Sequence, residues 1–133
     1  MPLVLDKAVE TDIDRMIEVM YAALSEDPWD RIMIPKTPGP KERTNSVERW
    51  TKEMLTNTSS LIMKVVDTDL DEIIAFARWD MYKSERPESE WKKQETREWD
   101  EGTNVKAANA FMFGIIEKRQ RVMGGKAHCC EYE

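Results

Sequence analysis

The sequence predicts a single α+β domain in which a mostly antiparallel sheet of about four strands packs against three to four helices. Along the chain, apolar residues alternate between the spacing typical of strands and the spacing typical of helices. Two β-rich segments also follow one another closely, as antiparallel neighbours do. The chain has 133 residues, 41% of them hydrophobic and 35% charged, so we assign residues 1–133 to one compact domain.

The first half of the chain is predicted to form one strand and two helices. An apolar segment from Leu3 favours a first strand of about six residues. Thr11 is placed to cap a helix that runs to about Ser25, and the proline-rich residues 27–40 favour a loop. Pro40 suits the start of a second helix, which would end near residue 55. The predicted core-facing residues of that helix are Val47, Trp50, Met54 and Leu55.

The second half is predicted to contain a hairpin, a charged insert, a helix and a strand. Residues 61–66 and 73–82 are β-rich and are separated by a polar segment, which indicates an antiparallel hairpin. Residues 83–103 are a charged insert, in which Trp91 and Trp99 are spaced to share one helix face. Residues 105–123 return to helical spacing, with Gly124 and Gly125 as a carboxyl-terminal cap, and residues 126–133 have room for one strand.

Charge and composition exclude several classes of partner. The formal net charge is −6, which disfavours binding to nucleic acid and to anionic membranes. The longest uncharged stretch, residues 107–116, is about half the length needed to cross a bilayer. The first residues lack the pattern of a signal peptide, so we expect a cytoplasmic protein with no membrane association. We expect the adjacent Cys129 and Cys130 to be reduced thiols.

Two groups of metal-ligand residues are interpreted as structural, so no metal site is predicted. Asp67, Asp69 and Asp71 match the first ligand positions of a calcium-binding loop. That loop also requires Gly at its sixth position and a bidentate acid at its twelfth, where this chain has Glu72 and Arg78. Residues 128–130, His-Cys-Cys, are consecutive, and consecutive side chains in a strand point to opposite faces and do not converge on one ion.

Several segments resemble the GCN5-related N-acetyltransferase superfamily, particularly its fungal members. The predicted hairpin has the residues Lys-Val-Val-Asp at 64–67 and Ile-Ile-Ala-Phe-Ala-Arg-Trp at 73–79, similar to a hairpin of that family. Residues 85–91 resemble the insert that follows it, and residues 121–128 resemble the approach to the fourth strand. The superfamily pattern Gln/Arg-x-x-Gly-x-Gly/Ala, which holds the coenzyme A pyrophosphate, does not occur in these 133 residues.

The resemblance implies acetyl transfer from acetyl-CoA to a small-molecule or peptide amine. It also implies an incomplete domain that supplies the acceptor side and does not catalyse transfer alone. The candidates for the acceptor pocket are Trp29, Arg78, Trp79 and Tyr82. No catalytic base and no residue that binds the cofactor is predicted. The alternative is a noncatalytic assembly module, or homo-oligomer, that pairs through an open sheet edge at residues 127–133.

Overall fold

The computed structural model describes residues 2–34, 38–92 and 98–132, with the backbone alone at 130–132, and it places four strands and five α-helices there. In chain order these are β1 (Leu3–Lys7), α1 (Ile13–Leu24), α2 (Pro28–Met33), α3 (Pro40–Thr56), β2 (Ser60–Asp67), β3 (Glu72–Tyr82), α4 (Glu88–Trp91), α5 (Val105–Met123) and β4 (His128–Tyr132). A single turn of 3₁₀ helix, Glu10–Asp12, precedes α1.

The four strands form one sheet in the order β1-β2-β3-β4, and every neighbouring pair is antiparallel. The predicted hairpin is β2 and β3, and the α+β class with its antiparallel sheet is confirmed. β4 follows α5 and pairs with the end of β3, where Tyr82 lies opposite His128. This register brings residues that are far apart in the sequence to one end of the sheet.

A bulge in β3 sets which residues face the core. The pairing between β2 and β3 shifts at Val65 and Val66, so Ile74 is an extra residue on β3. Ile73 is buried, Phe76 packs against the core three positions later, and Ile74 between them is 37% exposed. Without the bulge Ile73 and Phe76 would lie on opposite faces, because side chains in a regular strand alternate.

The core lies between one face of the sheet and the helices α1 and α3. Ile13, Met16 and Ile17 of α1 are almost completely buried against the sheet. Val47, Trp50 and Met54 of α3 pack on this cluster as predicted, and the rings of Trp50 and Phe76 meet edge to face with 5.6 Å between centroids. The predicted core position of Leu55 is wrong, since Leu55 is 66% exposed.

Two local predictions in the first half are corrected. Thr11 does not cap α1: it lies inside the 3₁₀ turn, and the carboxylate of Asp12 accepts the backbone N–H of Val9 instead. The proline-rich segment 27–40 contains a short helix, α2, because Pro28 occupies its first turn, where proline is tolerated, and Asp27 caps it. Residues 35–37 of that segment lie outside the described residues.

Helix α5 has the predicted bounds and the predicted glycine cap. Gly124 has φ 51°, a left-handed conformation that glycine adopts easily, and its N–H donates to the Gln120 carbonyl at 3.0 Å. Ala108 is buried, whereas Phe111 and Ile115 remain nearly half exposed. Of the predicted charged insert, residues 88–91 form α4, and residues 93–97 lie outside the described residues.

An ion pair between Asp12 and Lys64 fixes the start of α1 to the sheet. The Nζ of Lys64 lies 2.6 Å from a carboxylate oxygen of Asp12, and the two side chains are only 14% and 15% exposed. Burial raises the pKa of Asp12, but the hydrogen bonds from Lys64 and Val9 and the charge of Lys64 more than offset it, so the pKa lies below its ordinary value of 3.8.

We therefore expect Asp12→Asn to lower the free energy of unfolding by about 1–3 kcal/mol at neutral pH. Because the folded pKa is depressed, the contribution of the pair is complete above the unfolded pKa and is lost as pH falls through the folded one. Urea unfolding of both proteins between pH 7 and pH 3 measures this. The difference should be constant near neutral pH and shrink below about pH 4. A difference that grows on acidification would contradict the assignment.

Candidate functional site

Polar residues continue the core-facing side of β3 beyond the hydrophobic core. Phe76 marks this face because it packs against Trp50 of α3. Alternation along the strand then puts Arg78, Asp80 and Tyr82 on the same face. Cross-strand pairing with β4 adds His128, directly opposite Tyr82. We call these four residues the β3 row.

The β3 row includes a buried carboxylate. Asp80 is 4% exposed, and its side chain lies 3.5 Å from the guanidinium of Arg78. Arg78 also contacts Glu53 near the end of α3, at 3.2 Å. A carboxylate is buried only where neighbouring groups compensate its lost hydration, and Arg78 contributes to that compensation for Asp80.

Tyr82 stacks with two nitrogen-bearing side chains. The guanidinium carbon of Arg86 lies 3.6 Å from the centre of the Tyr82 ring, within the range of a cation–π contact. The ring of His128 is tilted by 49° to that of Tyr82, with 5.0 Å between centroids. These contacts hold Arg86 and His128 at the end of the sheet.

The hydrogen bonds of His128 determine which ring nitrogen carries the proton. Its Nδ1 is 2.7 Å from the carbonyl oxygen of Lys126, and a carbonyl can only accept, so Nδ1 carries the hydrogen in the neutral ring. Nε2 then has a free lone pair. Nε2 is buried, and it has no hydrogen-bond partner among the residues that the structure describes. A buried polar atom without a described partner calls for an explanation, which can be strain, a water molecule, an ion or a catalytic role.

The structure places the four predicted pocket residues in three different positions. Arg78 and Tyr82 share the core-facing side of β3. Trp79 lies between them in sequence and is therefore on the opposite face of the sheet. Trp29 lies in α2 and is 67% exposed. Their role in a pocket stays a prediction.

Sequence reasoning missed Asp80, Arg86 and His128 as members of the site. Asp80 could have been found, since it stands midway between Arg78 and Tyr82 in a strand and must share their face. His128 could not, because its neighbourhood depends on the register of β4 against β3. The contact of Arg86 with Tyr82 depends on how the loop after β3 folds back.

The glycine pair at residues 124–125 does not form a cradle for a coenzyme A pyrophosphate. Such a cradle uses free backbone amides at the start of a helix, where the helix dipole favours an anion. The glycine pair of this chain, Gly124 and Gly125, lies at the carboxyl end of α5, where the dipole has the opposite sign. The space beside Gly125 is also filled, since a Cβ there would lie 2.2 Å from the carbonyl oxygen of Arg86.

One candidate metal cluster begins at Asp67, the last residue of β2. Asp67 accepts the backbone N–H groups of Asp69 and Leu70, which stabilises the hairpin loop. Among the described side chains, those of residues 2–34, 38–92 and 98–129, there is no group of three or more His, Cys, Asp or Glu that could hold a metal ion. None of the helices described there is long and apolar enough to span a membrane.

Comparison with known proteins gave one similar solved structure. It is described as a histone acetyltransferase HPA2 and related acetyltransferase from Corynebacterium glutamicum. The match has 17% sequence identity and a TM-score of 0.41, and it covers 90% of this chain and 72% of that chain. No protein-family model and no curated protein matches the sequence. A similarity this low carries no argument about the activity of the chain.

Proposed function

We propose that this chain supplies the amine-acceptor side of an acetyltransferase-type domain. The observation that carries the proposal is the unpartnered Nε2 of His128 at the end of the β3 row. The sequence resemblance of residues 64–67 and 73–79 to the N-acetyltransferase hairpin also supports it. The acceptor would be a small-molecule or peptide amine, and acetyl-CoA would be the donor.

His128 is suited to hold the proton that an attacking amine must lose. An amine becomes nucleophilic only when its nitrogen has a free lone pair, so a nearby group must take the proton. Nε2 of a neutral imidazole with hydrogen on Nδ1 can accept it. Asp80 supports this role because it lies diagonally across from His128, roughly 7–8 Å away in an antiparallel pair, and its negative charge stabilises a positive charge there.

The β3 row acts only on the acceptor in this proposal. The described residues offer no pyrophosphate cradle, so we expect no acetyl transfer when the chain is incubated with acetyl-CoA and an amine. Arg78 holds Asp80, and Tyr82 with Arg86 orients the imidazole.

Amine binding tests the role of His128. We expect ethylammonium to perturb the backbone resonances of residues 80–82 and 128 in NMR spectra, because its N–H can donate to Nε2. Tetramethylammonium has the same charge but no N–H, so it should not reproduce the effect. His128→Phe keeps a ring against Tyr82 but removes the lone pair, and it should weaken ethylammonium binding about tenfold, as expected for one charge-assisted hydrogen bond.

Equal responses to the two cations, or unchanged affinity in His128→Phe, would refute the role of His128. The spectrum of the variant also shows whether its fold is intact, so loss of binding can be separated from unfolding.

A second candidate function follows from the edge of the sheet. Within the described residues, β4 is an edge strand: it hydrogen-bonds to β3 on one side, and no described strand pairs with its other side. An open edge can pair with another chain, including a second copy of this one. Analytical ultracentrifugation over a range of concentrations distinguishes the two functions: dimerisation without amine binding favours assembly, and a monomer that binds amines favours the acceptor role.

A further inference from the structure

A cleft of about 400 Å³ lies between the end of α5 and the segment after β3. Its volume is within the range of ligand sites, which begins at about 300 Å³. The indole of Trp91 forms part of its wall, and the charged residues around it are Glu85, Arg86, Arg121 and Lys126. It adjoins the β3 row through Arg86, which lies on Tyr82, and through Lys126, whose carbonyl oxygen is 2.7 Å from Nδ1 of His128.

The cleft is cationic in an acidic protein. The whole chain has 26 acidic residues and 20 Lys and Arg residues, whereas the cleft has three basic residues and one acid. Arg86, Arg121 and Lys126 form no salt bridge with any residue in the described part of the chain. By contrast, Arg43 and Arg78 each contact two carboxylates. The positive charge of the cleft is therefore not neutralised by described residues.

Arg86 is held in place before any ligand binds. Its guanidinium carbon lies 3.6 Å from the centre of the Tyr82 ring, and one terminal nitrogen donates to the carbonyl of Gly124 at 3.4 Å. Its backbone N–H donates to the carbonyl of Gly125 at 2.8 Å. These two bonds occupy carbonyl oxygens at the end of α5 that would otherwise repel an anion. A fixed guanidinium loses little entropy when it binds a carboxylate or a phosphate.

We propose that this cleft binds a small molecule with an anionic group, a carboxylate or a phosphate, attached to a planar ring. The anionic group would lie among Arg86, Arg121 and Lys126, and the ring would lie against Trp91. This site is separate from the proposed acyl transfer, and it holds its ligand with side chains rather than with a glycine cradle.

Direct titration at low ionic strength tests the site. The probes are benzoate, inorganic phosphate and the neutral benzamide, and the signals are the backbone resonances of Gly124 and Gly125 and the indole N–H of Trp91. We expect saturable shifts with at least one anion and none with benzamide. Stronger binding of benzoate identifies a carboxylate ligand, and stronger binding of phosphate identifies a phosphate ligand. Raising the salt concentration should weaken either.

A pair of charge-reversal variants provides the control. Arg121→Glu with Lys126→Glu should weaken anion binding at least about tenfold at low salt, since two attractive charges become repulsive. The double variant Lys106→Glu with Lys118→Glu makes the same change in net charge. Both of its positions are exposed, lie in α5 and are outside the cleft, so it should weaken anion binding much less than the first double variant does. Equal weakening in both double variants, or no anion-induced shift in the wild-type protein, would overturn the proposal. Neither result depends on acetyl transfer.

Discussion

Replacing Ile17 by Ala is expected to cause one of the largest losses of stability in this chain, about 2–5 kcal/mol. Ile17 is 0% exposed and lies in the cluster that joins α1 to the sheet. The change removes buried methyl groups and leaves a cavity that the surrounding side chains fill only in part. Chemical denaturation followed by circular dichroism measures the free energy of unfolding.

Leu55→Ala is the matched control for Ile17→Ala. Leu55 was predicted from the sequence to face the core, but it is 66% exposed in the structure. We expect its replacement to change the free energy of unfolding by less than about 0.5 kcal/mol. If Leu55→Ala costs as much as Ile17→Ala, the orientation of α3 described above is wrong.

The second large effect is expected at Gly125. A Cβ at this position would lie 2.2 Å from the carbonyl oxygen of Arg86 and 2.7 Å from the Trp91 ring. The nearest of these atoms, the carbonyl oxygen of Arg86, belongs to the backbone, so the rotation of a side chain cannot relieve the clash. We expect Gly125→Ala to lower the free energy of unfolding by about 1–3 kcal/mol, the usual cost of overpacking, and to move the loop that carries Arg86.

Gly114→Ala is the matched control for Gly125→Ala. Gly114 lies within α5, and nothing is within 4 Å of a Cβ built on it. Alanine there should raise the free energy of unfolding by roughly 0.5–1 kcal/mol, because glycine is unfavourable inside a helix. If the free energy of unfolding falls in Gly125→Ala and rises in Gly114→Ala, the close packing of Gly125 is supported. A change in the same direction in both variants would contradict it.

The elements were predictable because their signals are local. The spacing of apolar residues is enough to locate the helix at residues 105–123, and its glycine cap follows from a conformation that other residues avoid. The positions that were mispredicted depend on partners distant in sequence. Leu55 fits the helical spacing, but it is 66% exposed and is not among the residues that pack on the core. Thr11 does not cap α1, because Asp12 bonds both Val9 and Lys64.

The candidate site was predictable only in part, for a related reason. Arg78 and Tyr82 could be found because strand alternation is a local rule. His128 comes to Tyr82 through pairing between strands separated by the whole of α5, and Arg86 comes to it through a cation–π contact. The spacing of residues in the sequence predicts neither the contact of His128 with Tyr82 nor that of Arg86 with Tyr82. Trp79 was grouped with Arg78 and Tyr82, but as their neighbour in a strand it faces the other way.

Arg86 lines the cleft and also lies on Tyr82 of the β3 row, so ligands bound at the two places should influence one another. An anion in the cleft would partly neutralise the guanidinium that lies on Tyr82. The positive charge felt at His128 would then decrease. An anion bound in the cleft could therefore change the electrostatic environment of the acceptor residues without any change of fold.

The most direct measurement for this account is the long-range ¹H–¹⁵N NMR spectrum of the imidazole of His128. The chain contains one histidine, so the spectrum has no competing signals. We predict a hydrogen on Nδ1, which donates to the carbonyl of Lys126, and a shift of the Nε2 resonance when ethylammonium is added. A hydrogen on Nε2, or an Nε2 resonance that ethylammonium leaves unchanged, would contradict the assignment of the amine site to His128.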